Sequence, residues 1–529
     1  MSNQVIDKLS PIKIFSRAEH AAYYFTSHNL RWAPLYQGAA IPLCCPRTRG
    51  MADSNQESSP LHVVVFPWLA FGHMIPFLEL SKRLARRGHA ITFVSTPRNA
   101  ARLSTIPPEL SARLRVVTLE LPEVDGLKDG AESTADLPME KVGLLKKAFD
   151  GLATPFAALV AEACGRGGDA AGFSTRPDWM ILDFTHNWVW PIAEEHKIAC
   201  AMLFIFPVAF AAFSGPKHEN EAHPRTTTED YMVAPPWIPF PSTISYRRHE
   251  AKAIAAAFQP NASGVSDIDR VWQVHRPSCR LIIHRSCPAV EPGMFPLMTE
   301  LLAKPVIPAG LLLPEDAVSA AAASDQSFLD TIKWLDAQPK RSVIYVALGS
   351  EAPVTADHVR ELALGLELSG VRFLWALRRP AGHDGALLPD GLEARVAGRG
   401  VVRTGWVPQV RVLAHGAVGA FLTHCGWGST VESLLQFGRP LVMLPFVADQ
   451  GLIAREMGAR GVGVEVPRNE DDGSFQRDGV AAAVRRVMVE EEGKEMARKA
   501  QELQLALGDR VLQEQYVDEL VGYLHRYKK

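Results

Sequence analysis

The sequence lacks the features of a disulfide-rich or zinc-binding protein. It has seven cysteines in 529 residues, an odd number, and none of them forms a Cys-x-x-Cys pair. Scattered cysteines of this kind predict reduced thiols in a cytosolic protein and argue against a disulfide framework or a zinc site.

Long hydrophobic runs and an excess of one charge are also missing. The longest apolar run, residues 199–213, contains Pro207 and is shorter than the ~18 residues that a membrane-spanning helix needs. Lys and Arg total 56 and Asp and Glu total 58, a formal net charge of −2. This balance predicts neither nucleic acid nor an anionic membrane as a partner, and it requires any bound anion to be held locally.

Two common nucleotide-binding loops are absent as well. The sequence has no G-x-x-x-x-G-K-[ST]. No G-x-G-x-x-G follows residues 62–67, the first stretch that reads as a strand. The pair Gly461-x-Gly463 lacks the third glycine. These absences argue against a P-loop enzyme and against a nicotinamide-dependent oxidoreductase, which would share the predicted fold class.

What the sequence does contain, from residue 61 onward, is a regular alternation of short aliphatic runs and helical patterns. The predicted strands are 62–67, 90–96, 114–121, 179–183, 200–206 and 281–284, followed by 343–348, 373–377, 401–404, 419–423, 441–444 and 463–466. Helices are expected between them, including 76–87 and 139–163. The pattern predicts an α/β protein with two doubly wound parallel sheets, whose ligands bind at the carboxyl ends of the strands.

The same alternation suggests the domain limits. Residues 1–60 form a disordered part or extension, because residues 1–50 show no sustained period. An N-terminal Rossmann-like domain spans 61–305, a linker 306–327, a C-terminal Rossmann-like domain 328–510 and a final helix 511–529. Residues 215–260 interrupt the alternation with a polar and Pro-rich stretch, for which a binding loop and disorder are both open.

The densest polar pattern lies in residues 406–450, where a predicted strand ends in THCGWGS and a helix is expected from about Ser429. Glycines at such a turn let backbone N–H groups approach a phosphate, and the helix N-terminus adds partial positive charge. His424 could add a further donor. The pattern predicts a pyrophosphate site without a basic patch.

A purely structural interpretation of these residues is also open. Ser429 and Glu432 have the spacing of a capping box, and Asp449 could cap a helix beginning near Gln450. Trp406 could be a core residue.

A second set of residues follows the strands of the first predicted sheet. His73 comes after the first strand and Asp183 ends the fourth, so their side chains could meet at one sheet edge. A histidine near a helix start is kept neutral by the helix dipole and can act as a base, while a carboxylate orients its ring. A lone histidine in a turn is otherwise a surface or core residue. Aromatic residues at the strand ends could form an apolar acceptor wall or core: Trp68, Phe71, Phe184, Trp188, Phe206 and Phe210.

The 406–450 segment resembles the signature box of the plant family 1 UDP-sugar glycosyltransferases. The resemblance covers nearly all of residues 61–525, including WLD at 334–336 and VALGS at 346–350. It implies a GT-B fold, with the acceptor in domain 61–305, the UDP-sugar in domain 328–510 and the last helix packed back on the first domain. It also implies inverting transfer without a metal.

The resemblance assigns roles to individual residues. Trp406 stacks on uracil, Val407 and Gln409 lie against base and ribose, and Glu432 binds the ribose hydroxyls. His424, Ser429 and Ser350 contact phosphates, in a donor set that includes Trp427 and Gly428. Asp449 and Gln450 bind sugar hydroxyls, and a glutamine here usually accompanies glucose. The family's base and its partner fall on His73 and Asp183.

The sequence departs from this family pattern in two places. Gly428 stands where the family usually has asparagine, and the stretch from Glu432 to Gly438 is one residue longer than usual. We expect the extra residue at the C-terminal end of the helix, before Gly438.

The sequence therefore favours a UDP-glucose-dependent, inverting O-glucosyltransferase that needs no other cofactor. WLAFGH at 68–73 and GAEST at 130–134 resemble the subgroup that glucosylates terpenoid (steviol-type) or flavonoid glycosides, often forming a 1→2 branch. Transfer of rhamnose or xylose to a flavonoid glycoside and a non-catalytic nucleotide-sugar-binding protein are the alternatives. We expect a cytoplasmic monomer whose partners are a small acceptor and a UDP-sugar, without nucleic acid or stable membrane insertion.

Overall fold

Two parallel β-sheets, one in each half of the chain, form the framework of the protein. The computed structural model describes residues 59–103, 106–166, 176–314, 326–349, 352–379, 386–405 and 407–529. The seven-stranded first sheet consists of β1 (His62–Phe66), β2 (Ala90–Ser95), β3 (Leu114–Thr118), β4 (Trp179–Leu182), β5 (Ala199–Phe204), β6 (Cys279–His284) and β7 (Val306–Pro308). The six-stranded second sheet consists of β8 (Val343–Ala347), β9 (Arg372–Leu377), β10 (Gly400–Thr404), β11 (Val418–Thr423), β12 (Leu441–Met443) and β13 (Gly463–Glu465).

Helices connect and cover these strands. In the first half they are α1 (Phe71–Arg86), α2 (Pro97–Arg102), α3 (Val142–Asp150), α4 (Ala153–Arg166), α5 (Trp190–Glu195), α6 (Val208–Ser214), α7 (Lys217–Ala222), α8 (Arg248–Ala256), α9 (Asp267–Val271) and α10 (Met294–Leu302). In the second half they are α11 (Gln326–Asp336), α12 (Ala356–Ser369), α13 (Leu392–Arg395), α14 (Gln409–Ala414), α15 (Trp427–Thr430), α16 (Gln450–Ala459), α17 (Arg477–Met488), α18 (Glu491–Leu507) and α19 (Arg510–Tyr527).

The strand order in both sheets confirms the predicted doubly wound α/β class. The orders are β3-β2-β1-β4-β5-β6-β7 and β10-β9-β8-β11-β12-β13, and every pairing is parallel. The central strands β1, β4, β5 and β8 are buried along their whole length, as strands covered by helices on both faces must be. The carboxyl ends of the strands consequently present loops toward a shared space.

Strand β7 was not predicted. Its three residues lie within the 306–327 range that we expected to be a linker, and they pair with β6. A three-residue strand that ends in proline is too short to show a period. Residues 315–325 and nearly all of the predicted extension, 1–58, lie outside the described part of the chain, and the domain limits stay predictions.

Helix α1 begins earlier than predicted. We expected its start at Pro76, but it starts at Phe71, and Pro76 lies inside it. The Ala70 carbonyl accepts hydrogen bonds from the backbone N–H groups of His73 (2.9 Å) and Met74 (2.8 Å). His73 is therefore the third residue of the helix and lies in its first turn.

The helix after β11 also starts earlier than predicted, at Trp427 rather than Ser429, with Gly426 as its N-cap. Its later part, Val431–Gln436, is a π-helix. A π-helical turn holds one more residue than an α-turn, so this turn offers a place for the extra residue that we expect before Gly438. The chain leaves this helix through Gly438, whose φ is +61°.

The irregular segment 215–260 is folded around a half-buried cation. The guanidinium carbon of Arg225 lies 4.8 to 5.2 Å from the ring centroids of Phe213, Tyr231, Trp237 and Phe258. Burial lowers the pKa of Arg225 to about 10, so it is still a cation at neutral pH. This aromatic enclosure fixes the loop that leads into α8.

The last helix, α19, packs against the first sheet. Val517, Leu520 and Leu524 are fully buried in the same core as β1 and β4 residues. The Trp179 indole N–H donates to the Leu524 carbonyl at 3.0 Å. Helix α19, which follows the second sheet in the chain, thus packs on the half that contains the first sheet.

Candidate active site

A single large cavity, about 1550 Å³ in volume, is lined by residues of both halves of the chain. Loops that follow β1, β4 and β5 line it from the first half, and loops that follow β8, β10, β11 and β12 line it from the second. The cavity therefore lies at the carboxyl ends of both sheets, where doubly wound folds bind ligands.

The predicted donor residues converge on this cavity. Nine of them line it: Val407, Gln409, His424, Trp427, Gly428, Ser429, Glu432, Asp449 and Gln450. The other two, Ser350 and Trp406, lie outside the described residues.

Glu432 is held by a side-chain partner and not by the helix start. The Gln409 amide Nε2 donates to Glu432 Oε2 at 2.8 Å and to Ser429 Oγ at 3.3 Å. Because the helix begins at Trp427, Ser429 is its third residue, and the capping-box interpretation does not hold. Burial raises the pKa of Glu432. A ligand with hydroxyl donors would compensate the desolvation of this half-buried carboxylate.

His424 is enclosed by two glycines. A Cβ on Gly349 would stand 2.6 Å from the imidazole Cε1, and a Cβ on Gly426 would stand 2.5 Å from its Nε2. Burial lowers the pKa of His424 to about 4, so the ring is neutral at pH 7. Nδ1 has no hydrogen-bond partner among the described residues. The neutral ring is thus available to donate to a ligand oxygen.

Asp449 and Gln450 lie at the start of α16. Asp449 makes no side-chain capping bond to this helix, so capping does not account for it. The amide Oε1 of Gln450 accepts hydrogen bonds from the backbone N–H groups of Phe446 (2.9 Å) and Val447 (3.1 Å). These bonds fix the amide orientation and leave its NH₂ group for a ligand.

On the opposite wall, His73 and Asp183 form a hydrogen-bonded pair. The distance from His73 Nδ1 to Asp183 Oδ2 is 2.8 Å. The carboxylate also accepts from the backbone N–H groups of Trp68 (3.0 Å) and Phe184 (2.8 Å), and its side chain is fully buried. The His73 side chain is 13% exposed and lines the cavity. This geometry orients an imidazole whose second nitrogen can take a proton.

Four of the six predicted acceptor aromatics line the cavity: Phe71, Phe184, Phe206 and Phe210. Trp68 and Trp188 do not. Their rings pack against Phe149 of α3, with centroid distances of 5.3 and 5.8 Å. The assignment of these two tryptophans as acceptor contacts is therefore corrected: they fill the aromatic core beneath the strand ends.

Sequence reasoning missed three kinds of cavity residue. Ile254 and Phe258 enter from α8 and the turn after it, whose packing against the site no local pattern reveals. Lys146 and Asp267 add a polar, ion-paired part to the lining. Arg285 follows β6 directly and is also in the lining. For Arg285, the signal available in the sequence was a charged residue directly after a predicted buried strand.

Across the described ranges, no group of three or more His, Cys, Asp or Glu residues is arranged to hold a metal ion. Nor does any helix there have the length and apolarity to cross a bilayer.

Comparisons with known proteins identify the family to which this chain belongs. Residues 308–504 match the family model described as UDP-glucoronosyl and UDP-glucosyl transferase. UDP-glycosyltransferase 91C1 of Arabidopsis thaliana is 41% identical over 478 residues, which are 90% of this chain and 98% of that protein. The chain belongs to the plant family 1 UDP-glycosyltransferases. The soyasaponin III rhamnosyltransferase of Glycine max is 35% identical and covers 90% of this chain and 98% of its own.

A solved structure extends the match to the whole fold of this UDP-glycosyltransferase. It is the complex of 3,4-dichloroaniline with a Polygonum tinctorium UDP-glucosyltransferase capable of glucosylating indoxyl. The TM-score is 0.68 at 27% identity, with 89% of this chain and 99% of that chain covered. The GT-B prediction is confirmed, the oxidoreductase alternative is excluded, and a UDP-sugar is the co-substrate in this family.

Proposed function

We propose that this UDP-glycosyltransferase transfers glucose from UDP-glucose to a hydroxyl group of a small lipophilic plant metabolite, with inversion at the anomeric carbon. One observation carries the proposal. His73, whose ring is hydrogen-bonded to the buried Asp183, and the nine described donor residues line the same cavity from opposite halves of the chain. A base and a nucleotide-sugar site that share a cavity can act on one acceptor.

The proposed reaction is a single displacement. His73 takes the proton of the acceptor hydroxyl as its oxygen bonds to C1 of glucose, while the bond from C1 to the UDP oxygen breaks. Asp183 holds the ring orientation and stabilises the imidazolium that forms. The electron pair leaves with UDP, whose charge the helix N-terminus at Trp427 stabilises. The product is a β-glucoside.

Glucose is the proposed donor sugar. Asp449 and Gln450 lie together in the cavity lining, and the Gln450 amide is held by two backbone bonds. A fixed amide and a carboxylate can recognise adjacent hydroxyl groups of a hexose. The resemblance described above, in which a glutamine closing the box accompanies glucose, supports the same choice.

The proposed acceptor is a terpenoid or flavonoid glycoside, to which the enzyme adds a branching 1→2 glucose. Apolar side chains, including Phe206, Phe210 and Phe258, suit a lipophilic aglycone. Asn261 and Asp267 in the same lining could bind a sugar that the acceptor already carries. The Glycine max relative, named for action on a saponin, supports an acceptor that consists of an aglycone and an attached sugar.

That relative also favours a second candidate, transfer of rhamnose from UDP-rhamnose to a glycoside. It is named a rhamnosyltransferase, and its identity to this chain is 35%.

We further propose a cytoplasmic monomer with no nucleic-acid partner and no resident cofactor. The five described cysteines form no disulfide bonds, which supports a reducing compartment. The formal net charge of −2 supports small-molecule substrates over nucleic acid.

A turnover assay tests the proposal. The purified protein is given UDP-glucose, UDP-rhamnose or UDP-xylose, together with terpenoid and flavonoid aglycones and their monoglucosides. We expect UDP release with UDP-glucose and a monoglucoside, and a diglucoside with a new β-1→2 linkage by mass spectrometry and NMR. Faster turnover with UDP-rhamnose would favour the second candidate. Tight UDP binding without release on any acceptor would contradict the transfer proposal.

A further inference from the structure

Arg285 is a buried cation held rigidly at the junction of the two halves. It directly follows β6, and its backbone N–H donates to the Phe204 carbonyl at 2.8 Å. Its side-chain Nε donates to the Leu311 carbonyl at 2.9 Å. Its own carbonyl accepts from the Trp427 indole N–H at 2.7 Å. Three bonds therefore position the residue, one of them from the donor segment of the other half.

The end of the Arg285 side chain lies against the helix start that is the proposed phosphate site. Its Nη1 lies 3.3 Å from the position that a Cβ on Gly428 would take, and the residue lines the cavity. Neither Nη1 nor Nη2 donates a hydrogen bond to any residue that the structure describes. The side chain is almost wholly buried. The two terminal nitrogens of this largely buried guanidinium are therefore left to donate to a ligand in the cavity.

Arg285 also stays charged. Burial lowers its pKa to about 10, with Arg83 acting in the same direction and the carboxylates of Glu432 and Glu79 against it. It is therefore protonated at neutral pH. Glu432 accepts its described hydrogen bond from Gln409 and not from Arg285, so the positive charge remains available to an anion in the cavity.

We propose that Arg285 is a donor-binding residue whose guanidinium contacts the diphosphate of the UDP-sugar, an inference that rests on the proposed function. Arg285 belongs to the N-terminal half. Its contact with the diphosphate replaces the one that a side chain at position 428, in the C-terminal half, would make. A guanidinium binds phosphate oxygens through paired N–H groups and carries a full charge. It can thus stabilise UDP as the leaving group more strongly than a neutral amide.

The same contact explains the glycine at position 428. A Cβ at 3.3 Å from Nη1 is tighter than ordinary van der Waals contact, so any side chain there forces the guanidinium to shift. Arg285 and Gly428 therefore form a matched pair. The hydrogen bond from the Trp427 indole N–H to the Arg285 carbonyl holds the two halves in the relative position that this pair requires.

Calorimetry with UDP and with uridine tests the proposal. We expect Arg285→Met to weaken UDP binding at least 10-fold and uridine binding less than 2-fold, because only UDP carries phosphates. Arg285→Lys should keep part of the UDP affinity. Gly428→Ala should weaken UDP binding 3- to 10-fold in the wild type and have no further effect in Arg285→Met. The control Arg439→Met removes a buried arginine that is outside the cavity lining and should leave UDP affinity within 2-fold.

Each contrary result is distinct. Unchanged UDP affinity in Arg285→Met, or equal losses for UDP and uridine, would overturn the role of Arg285 while leaving the proposed function intact. Additive effects of Arg285→Met and Gly428→Ala would refute the matched pair. If Arg285→Met fails to fold, Gly428→Ala and Arg285→Lys decide the question with the same two ligands. A wild-type protein that binds no UDP would overturn the proposed function itself.

Discussion

The two walls of the cavity are built in different ways. On the donor wall, the residues from His424 to Gln450 come from one continuous stretch of chain that includes the end of β11, a helix start and the start of α16. On the acceptor wall, the lining residues run from Phe71 to Val271 and come from separate loops and helices. The donor site is therefore a local motif, whereas the acceptor site exists only once the first sheet is assembled.

The walls also differ in chemistry. The donor wall is polar, with an uncharged His424 and a half-buried Glu432 whose pKa is raised. The acceptor wall is mainly apolar, and its polar residues include His73, whose ring is bonded to Asp183, as well as Lys146 and Asp267. Substitutions on one wall should leave the function of the other largely intact, and this separation can be measured.

The largest expected effect is that of His73→Ala. Removal of the base should lower kcat by about 10³-fold or more, while the dissociation constant of UDP stays within 2-fold, because His73 belongs to the acceptor wall. Steady-state kinetics and calorimetry check the two parts. His196→Ala, outside the cavity lining, is the control and should keep full activity. An equal loss of UDP affinity in His73→Ala would show that the walls are not separable.

Glu432→Gln should have the next largest effect, this time on the donor wall. The variant loses the charged acceptor that we propose for the ribose hydroxyls, and hydrogen bonds to charged groups contribute about 1.5–3 kcal/mol. We expect UDP affinity to fall about 10- to 100-fold by calorimetry. Glu367→Gln, which breaks an exposed ion pair with Arg395, serves as the control. A variant that binds UDP normally would remove Glu432 from the donor site.

Phe210→Ala sharpens the distinction between the acceptor wall and the core. Phe210 packs edge-to-face on Phe206 at 5.0 Å and lines the cavity, so the acceptor KM should rise about 5- to 10-fold for a lost apolar contact, with UDP affinity unchanged. Trp188→Phe should instead lower the thermal midpoint and leave KM unchanged. The reverse pattern would place Trp188 at the acceptor and Phe210 in the core.

The last prediction is a pH dependence of stability that rests on three buried histidines, of which His424 belongs to the donor wall. Burial lowers the pKa of His186 and His424 to about 4 and that of His284 to about 3, whereas an unfolded histidine titrates near ~6.5. The unfolded chain therefore binds more protons below pH ~6.5, and the free energy of unfolding falls as the pH drops toward ~4. Each histidine contributes up to ~1.4 kcal/mol per pH unit.

Thermal midpoints measured between pH ~7.5 and ~5 check this dependence, whose window follows from the lowered histidine pKa values. The midpoint should stay nearly constant at the upper end and fall below pH ~6.5, less steeply in His424→Asn. Identical slopes for wild type and His424→Asn would contradict the burial effect on that ring.

What could be predicted from the sequence follows the same division. The central strands were visible because parallel strands buried on both faces are continuous aliphatic runs. The donor residues were visible because they are close in sequence, and the placement of His73 beside Asp183 follows from equivalent strand ends. The resemblance to a known family supplied their individual roles, which remain proposals.

The remaining features depend on packing that no short pattern records. Trp68 and Trp188 follow the same strands as the cavity aromatics, yet their rings turn toward Phe149. Arg285 reaches the donor wall only because β6 ends opposite Trp427. The early start of α1 was missed because Pro76 suggested a first-turn position, although α1 accommodates it further along.

The return of α19 to the first half bears on how the protein is made. Val517, Leu520 and Leu524 complete the core around β1 and β4, and Arg87 adds ion pairs to Glu514 and Asp518 of the same helix. During translation, the first half cannot complete its core until α19 has been synthesised, after the whole second sheet. A cut between the two sheets would accordingly give two fragments of which the second retains part of the first one's interior.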